Sequence, residues 1–543
     1  MTTTTMSGAD ALLEQILANG TDTIFGLPGG QLDHFFDSMY RQNDRLRFFG
    51  SRHEQGAAYM AFGYSRSTGK PGVYCVVPGP GVLNTTAALC SAYATNSPVL
   101  CLTGQIPSRG IGQGVGYLHE LPDQLATLRS LTKWGERINS ATEAPSVVNE
   151  AYRQMRSGRS QPVALEMPMD IMGQQAPVDL LAAATAAGEP ELNSDEIDKA
   201  AKLIGAASKP MIIVGGGGNH AAAQINALAE RLQAPVVAFR NGRGIVSDKS
   251  HLSQVLPAGY ELWAESDLVI GIGSRMEQQL MHWGRNPAAK LIRIDIDERE
   301  LDRYQPVDAR LHADTKTACQ ALFDAIDKNA SKVASREEEL LGLKSRVRAE
   351  IESVQPQLSY LDAIRTALPE EGYFVDEITQ VGYASWYGFP VYEPRHLITC
   401  GYQGTLGYGY ATALGVKAAH PDKPVVNIAG DGGFMFTANE MATAAQYNLG
   451  LVTVVFNNNK FQNVQRQQKD WFGGRLIGSD LKNPDFLKFA ESFGIRACRV
   501  QKPADLQSEV AAALTRDEPA LIEVNSGDMA TPWPYIIRDR LFD

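Results

Sequence analysis

The stretch "GDGGFMFTANEMATAAQYNLGLVTVVFNNN", Gly430 to Asn459, sets an aspartate between glycines and closes on three asparagines. One carboxylate (Asp431), one amide oxygen (Asn458) and a nearby backbone carbonyl form a donor set for a hard cation such as Mg²⁺. That ion keeps few protein ligands and takes its remaining oxygens from phosphate and water. Gly430, Gly432 and Gly433 let backbone N–H groups come close to a phosphate. An ordinary turn also uses Asp, Asn and Gly. The spacing to paired asparagines at the end of an apolar run favours the cation.

The flanking residues say how these groups are positioned. "PVVNIA" before Asp431 and "LVTVVF" before Asn457 are short, β-branched runs that predict buried strands. Thr437 and Glu440 have the spacing of a capping box and predict a helix over "NEMATAAQYN", ending near Gly450. A strand–helix–strand crossover is right-handed, so the two strands lie parallel in one sheet. Asp431 and Asn458 then share the carboxyl edge, where open α/β sheets bind ligands.

Two further motifs lie near the N-terminus. In "SRHEQGAAYMAFGYSRSTG", Glu54 opens a predicted helix, and an acid in a first turn also suits the helix dipole. "VVPGPGVLNTTAAL" puts Pro80, Gly81 and Asn84 between a strand and a helix, where a flat ligand could approach the backbone. Plain turns use the same residues.

The chain has 543 residues, with 44% hydrophobic and 20% charged, and a net charge of -11. The length suits about three or four domains of roughly 150 residues. The acidic balance argues against nucleic acid or an anionic membrane as partner. Six cysteines without a C-x-x-C pair suit a reduced, cytoplasmic setting. No secretory signal pattern and no apolar run of about 18 residues is present. Strand and helix patterns alternate in three blocks, 1–172, 192–330 and 355–543, giving an α/β chain of three doubly wound parallel-sheet domains. An Ala/Gly/Pro-rich linker, "APVDLLAAATAAGEPELNS", follows the first block. A charged segment, "ASREEELLGLKSRVRAEIES", reads as a solvated connector helix after the second.

Together "RHEQ" (52–55), "GPGVLN" (79–84), "GYQGTLGYG" (401–409) and the GDG…NN unit resemble the thiamine diphosphate enzymes, within them the acetohydroxyacid (acetolactate) synthase group. The resemblance runs along nearly the whole chain. It implies a pyrimidine-binding first domain, a Rossmann-like central domain and a diphosphate-binding third domain. It implies a 2-oxo acid decarboxylase/carboligase that uses thiamine diphosphate and Mg²⁺. By that resemblance, Glu54 drives the imino tautomer of the cofactor's pyrimidine and Leu406 holds its two rings bent. Pro80, Asn84, Gly404 and the GDGG residues contact the cofactor, while Asp431, Asn458 and the Lys460 carbonyl hold the metal. The site then forms between subunits of a homodimer or homotetramer.

The chain also departs from the family. Leu118 and His119 stand in "IGQGVGYLHELPDQ" where the family often has Phe and Gln, so His119 is either a catalytic proton donor or a loop histidine. "QVGYASW" (380–386) replaces "GQHQMW". In the central block, Arg275 and Asp295 match FAD-binding positions of anabolic relatives, and an empty spacer domain is the other reading. Competing activities are a 2-hydroxyacyl-CoA lyase, an FAD-dependent 2-oxo acid oxidase and, from another class, a flavin- or NAD-binding oxidoreductase. A non-catalytic subunit is disfavoured by the presence of Glu54, Asp431 and Asn458.

Overall fold

The computed structural model describes residues 3–327 and 333–542. The expected domain ends at 1, 330 and 543 lie outside these residues. Three parallel six-stranded sheets follow one another along the chain, each flanked by helices. In the first, the strand order is Arg47–Gly50, Thr23–Gly26, Gly72–Val76, Val99–Gln105, Val163–Pro168, Trp134–Arg137. In the third, it is Leu397–Ile398, Tyr373–Val375, Val425–Gly430, Leu451–Asn457, Ala520–Asn525, Arg496–Val500. The two end sheets therefore share one topology, with sequential strands in the order second, first, third, fourth, sixth, fifth. The central sheet runs third, second, first, fourth, fifth, sixth, from Ser253–Gln254 to Ala309–His312.

Strand order fixes where a ligand can enter. In each end sheet the direction of winding reverses between the first and third strands, and the crevice at such a switch point is the usual binding place. The crevice of the first sheet lies beyond Gly26 and Val76. That of the third lies beyond Val375 and Gly430.

The end domains are locked together by the helices Glu54–Thr68 and Gly409–Ala419. A Cβ on Gly63 would lie 2.0 Å from the Thr412 carbonyl oxygen, and one on Gly415 would lie 1.9 Å from that of Met60. Only glycine at both crossings permits this backbone approach. Glu440, fully buried, accepts the backbone N–H groups of Arg52 and His53 at 2.9–3.1 Å and the Thr443 hydroxyl at 2.6 Å.

Four local expectations need correction. The helix expected over 439–448 is a 3₁₀ turn Ala438–Glu440 followed by a short helix Met441–Gln446, with a separate helical turn Asp431–Phe434 ahead of it. Thr437 and Glu440 make no capping box, because Thr437 donates to the Gly407 carbonyl and Glu440 is spent on the first domain. A strand, Gln175–Val178, runs into the start of the linker and pairs antiparallel with Thr4–Ser7. The charged segment forms the helix Glu337–Ile351, but Leu340, Leu343, Val347 and Ile351 bury one face of it.

Candidate active site

At the carboxyl edge of the third sheet, Val425–Gly430 and Leu451–Asn457 lie side by side and parallel, with Gly430 opposite Phe456. Asp431 follows the first strand directly and is only 3% exposed. Burial pushes its carboxyl above the ordinary range. Its side-chain partner is neutral: Asn483 Nδ2 donates to Asp431 Oδ2 at 2.7 Å. The same nitrogen reaches Oδ1 of Asn457 at 3.2 Å and of Asn459 at 3.3 Å. Oxygen acceptors thus surround one donor, and among the described residues no cationic side chain pairs with the buried carboxylate. Asn458 donates from Nδ2 to Gln462 Oε1 at 2.7 Å and to the Gly527 carbonyl at 3.3 Å, which leaves its own Oδ1 without a partner among the described residues. This donor chemistry fits a hard divalent ion.

A cavity of about 230 Å³ opens here and is bordered by Gly404, Leu406, Gly430, Asp431, Gly432, Gly433, Asn458 and Lys460. All eight come from the sequence expectation. Gln380 also faces the cavity, from the first turn of the helix Gln380–Gly388. It is 6% exposed, and its amide has no hydrogen-bond partner among the described residues. An amide facing a cavity at a helix N-terminus, with no hydrogen bond among the described residues, fits a phosphate group. Sequence reading flagged this segment only as a departure.

Behind the cavity, Glu377 is fully enclosed and burial raises its carboxyl to about 7. It accepts N–H groups of Gly407 at 3.1 Å and Gly409 at 2.8 Å. These bonds fasten the loop that carries Gly404 and Leu406. Neither Glu377 nor Asn483 was foreseen, because their partners lie far away in the sequence.

The N-terminal group sits apart. Glu54 opens the helix Glu54–Thr68. Asn84, the last residue of the short helix Pro80–Asn84, donates its Nδ2 to Glu54 Oε2 at 3.0 Å. Gly79 before it takes φ +64°, and a Cβ there would lie 2.5 Å from the His119 carbonyl oxygen. His119 therefore packs on the same turn as Pro80. None of Glu54, Pro80, Asn84 or His119 borders the C-terminal cavity, whose lining begins at Ile378. Exposed apolar side chains flank both groups: Leu83 (44%) and Leu118 (70%) on one, Met435 (40%) and Phe436 (50%) on the other.

In the central domain, Arg275 and Asp295 both border a cleft of about 310 Å³ beside the glycine-rich strand ends at Gly216 and Gly273. Asp295 is buried, and burial raises its carboxyl to about 6. Arg275 stacks on the Tyr402 ring, 4.5 Å from its centroid. All six cysteines are free, and among the described residues no helix is long and apolar enough to cross a membrane.

Comparison with known proteins gives matches in each domain. Residues 6–127 match the model of the thiamine pyrophosphate enzyme N-terminal TPP binding domain, 197–322 its central domain and 377–524 its C-terminal TPP binding domain. A probable 2-ketoarginine decarboxylase of Pseudomonas aeruginosa is 32% identical across 96% of this chain and 94% of that protein. A probable acetolactate synthase large subunit of Methanococcus aeolicus is 31% identical across 95% and 92%. The acetolactate synthase isozyme 1 large subunit of Escherichia coli is 28% identical across 98% and 96%.

Proposed function

The chain belongs to the thiamine pyrophosphate enzymes, and we propose that it decarboxylates a 2-oxo acid at a site completed by a second copy of itself. The observation that carries this reading is the meeting of Asp431, Asn458, Gln380, Gly404 and Leu406 on one cavity, while Glu54, Asn84 and His119 gather elsewhere. Each group is half a site. The apolar fringes on both halves suit burial against another copy.

Bound thiamine diphosphate supplies the electron sink that takes up the charge left when CO₂ departs. The protein's residues bind, orient and move protons around it. Asp431, Asn458 and the Lys460 carbonyl would hold Mg²⁺ on the diphosphate, with Gln380 and the Gly432–Gly433 backbone donating to its oxygens. Leu406 offers an apolar prop on a loop fixed by Glu377. Glu54 would exchange a proton with the pyrimidine ring, with Asn84 Nδ2 holding its Oε2 at 3.0 Å. His119 passes a proton to the product carbon or oxygen, which favours release of an aldehyde. A glutamine there can only hydrogen-bond. Carboligation to an acetolactate-type product is the second reading, supported by the synthases among the relatives.

The central cleft, with Asp295 at a strand end and glycine loops beside it, suits a dinucleotide such as FAD. The visible spectrum of the purified protein tests this directly. The main test is CO₂ release from pyruvate and from 2-ketoarginine, with and without thiamine diphosphate and Mg²⁺. Release from at least one acid, dependent on both additions, is expected. No release from either acid or related 2-oxo acids would remove the decarboxylase reading.

A further inference from the structure

The loop that carries His119 is held by a residue to which the reaction as described gives no task. Gln31 follows the strand Thr23–Gly26, in the 3₁₀ turn Gly30–Leu32, and is 6% exposed. It sits against the strand Val99–Gln105 where only glycine leaves room: a Cβ on Gly104 would lie 2.6 Å from the Gln31 carbonyl oxygen and 3.0 Å from its Cβ. From this seat its amide reaches the loop twice. Nε2 donates to the Leu118 carbonyl at 3.0 Å, and Oε1 lies 2.9 Å from His119 Nδ1. His119 itself is held at φ +68°, a left-handed conformation uncommon for a residue with a side chain. Such strain persists where the surroundings over-determine it, and it gathers at functional sites.

The two contacts settle the chemistry of the ring. The bond to Leu118 requires the NH₂ end of the amide, so Gln31 turns its oxygen to His119. A carbonyl oxygen cannot donate, so the hydrogen belongs to Nδ1 of His119. We propose that Gln31 is a positioning residue that selects the Nδ1–H tautomer of His119 and leaves Nε2 as the one nitrogen that exchanges protons. This rests on the proton-donor reading of His119 given above. Neutral His119 first accepts a proton from water at Nε2. The imidazolium keeps its Nδ1–H bond to Gln31 and then gives the Nε2 proton to the product carbon or oxygen. The ring returns to the tautomer it started from, with no flip and no redox partner.

The experiment combines ring-nitrogen NMR of ¹⁵N-histidine-labelled full-length protein with product analysis, assigning the His119 signal by its loss in His119→Gln. Wild type should show neutral His119 as the Nδ1–H form. Gln31→Leu should convert it to the Nε2–H form or a mixture. Aldehyde release should then fall about 10-fold, less than the roughly 10²-fold lost with a general acid itself. Gln31→Glu retains an acceptor for Nδ1–H and should keep the tautomer and most of the aldehyde release. A merely structural role for Gln31 would not give this rescue. An Nε2–H signal in wild type overturns the proposal, and so does an unchanged tautomer in Gln31→Leu. Should Gln31→Leu fail to fold, the wild-type and Gln31→Glu spectra still decide it. An Nδ1–H signal with a product ratio untouched by His119→Gln upholds the pair and overturns the proton-donor reading instead.

Discussion

Asp431 and Asp295 are both carboxylates at strand ends, held where burial penalises their charge. A cation beside Asp431 would offset that penalty. Asp431→Asn, nearly the same shape, should weaken thiamine diphosphate binding in the presence of Mg²⁺ by at least about 10-fold in calorimetric titration, because the metal loses its charged ligand. Equal affinity would contradict the assignment. For Asp295 the same upward shift bears on stability. Its folded-state value of about 6 exceeds the ordinary 3.8, so the folded protein holds that proton more tightly than the unfolded chain. The resulting cost to stability appears as pH rises from the ordinary value and is complete above about 6. It amounts to about 3 kcal/mol at most. Asp295→Asn should therefore raise the unfolding temperature of nucleotide-free protein at about pH 7.5, with the gain shrinking toward pH 4. A gain independent of pH would mean that Asp295 carries no such cost.

At the scale of elements, the positions that matter are those where one segment holds another. Glu440 ties the turn Ala438–Glu440 to the residues just before Glu54. Glu440→Ala leaves the part-buried backbone N–H groups of Arg52 and His53 without this acceptor and should cost about 1–3 kcal/mol in thermal or denaturant unfolding. An unchanged midpoint would show that the tie is dispensable. Glu377→Gln should loosen the loop bearing Leu406, since an amide can face only one of the Gly407 and Gly409 N–H groups with its oxygen. A roughly 10-fold loss of cofactor affinity, about the worth of one hydrogen bond to a charged group, is expected by titration. These ties also mark what could be read from the sequence. Asp431 and Asn458 were legible because each ends an apolar, β-branched run, so local pattern sets their place. Thr437 and Glu440 were misread because their side chains serve distant partners instead of their own helix. Gln31, Gln380 and Asn483 were missed for a related reason. A glutamine or asparagine gains a role from what folds around it, and nothing in its neighbours along the chain announces that.

For the whole molecule, the three α/β blocks followed from alternating strand and helix patterns. The shared strand order of the two end sheets did not, since topology is set by pairing across distance and leaves no repeat in the residues. That shared order puts a crevice on each end domain, and within one chain the two crevices hold different chemistry. If the site forms between copies of the chain, a working site takes Glu54 from one and Asp431 from another. Mixing inactive variants tests it most directly. Glu54→Gln and Asp431→Asn chains are co-expressed with different tags, and decarboxylation is measured against each variant alone. In a two-fold assembly formed at random, half the dimers are mixed, and each mixed dimer has one site with both residues intact, so activity should return to about a quarter of wild type. Activity no higher than that of the separate variants, in a preparation shown to contain mixed assemblies, would place both residues in the site of a single chain and contradict the account.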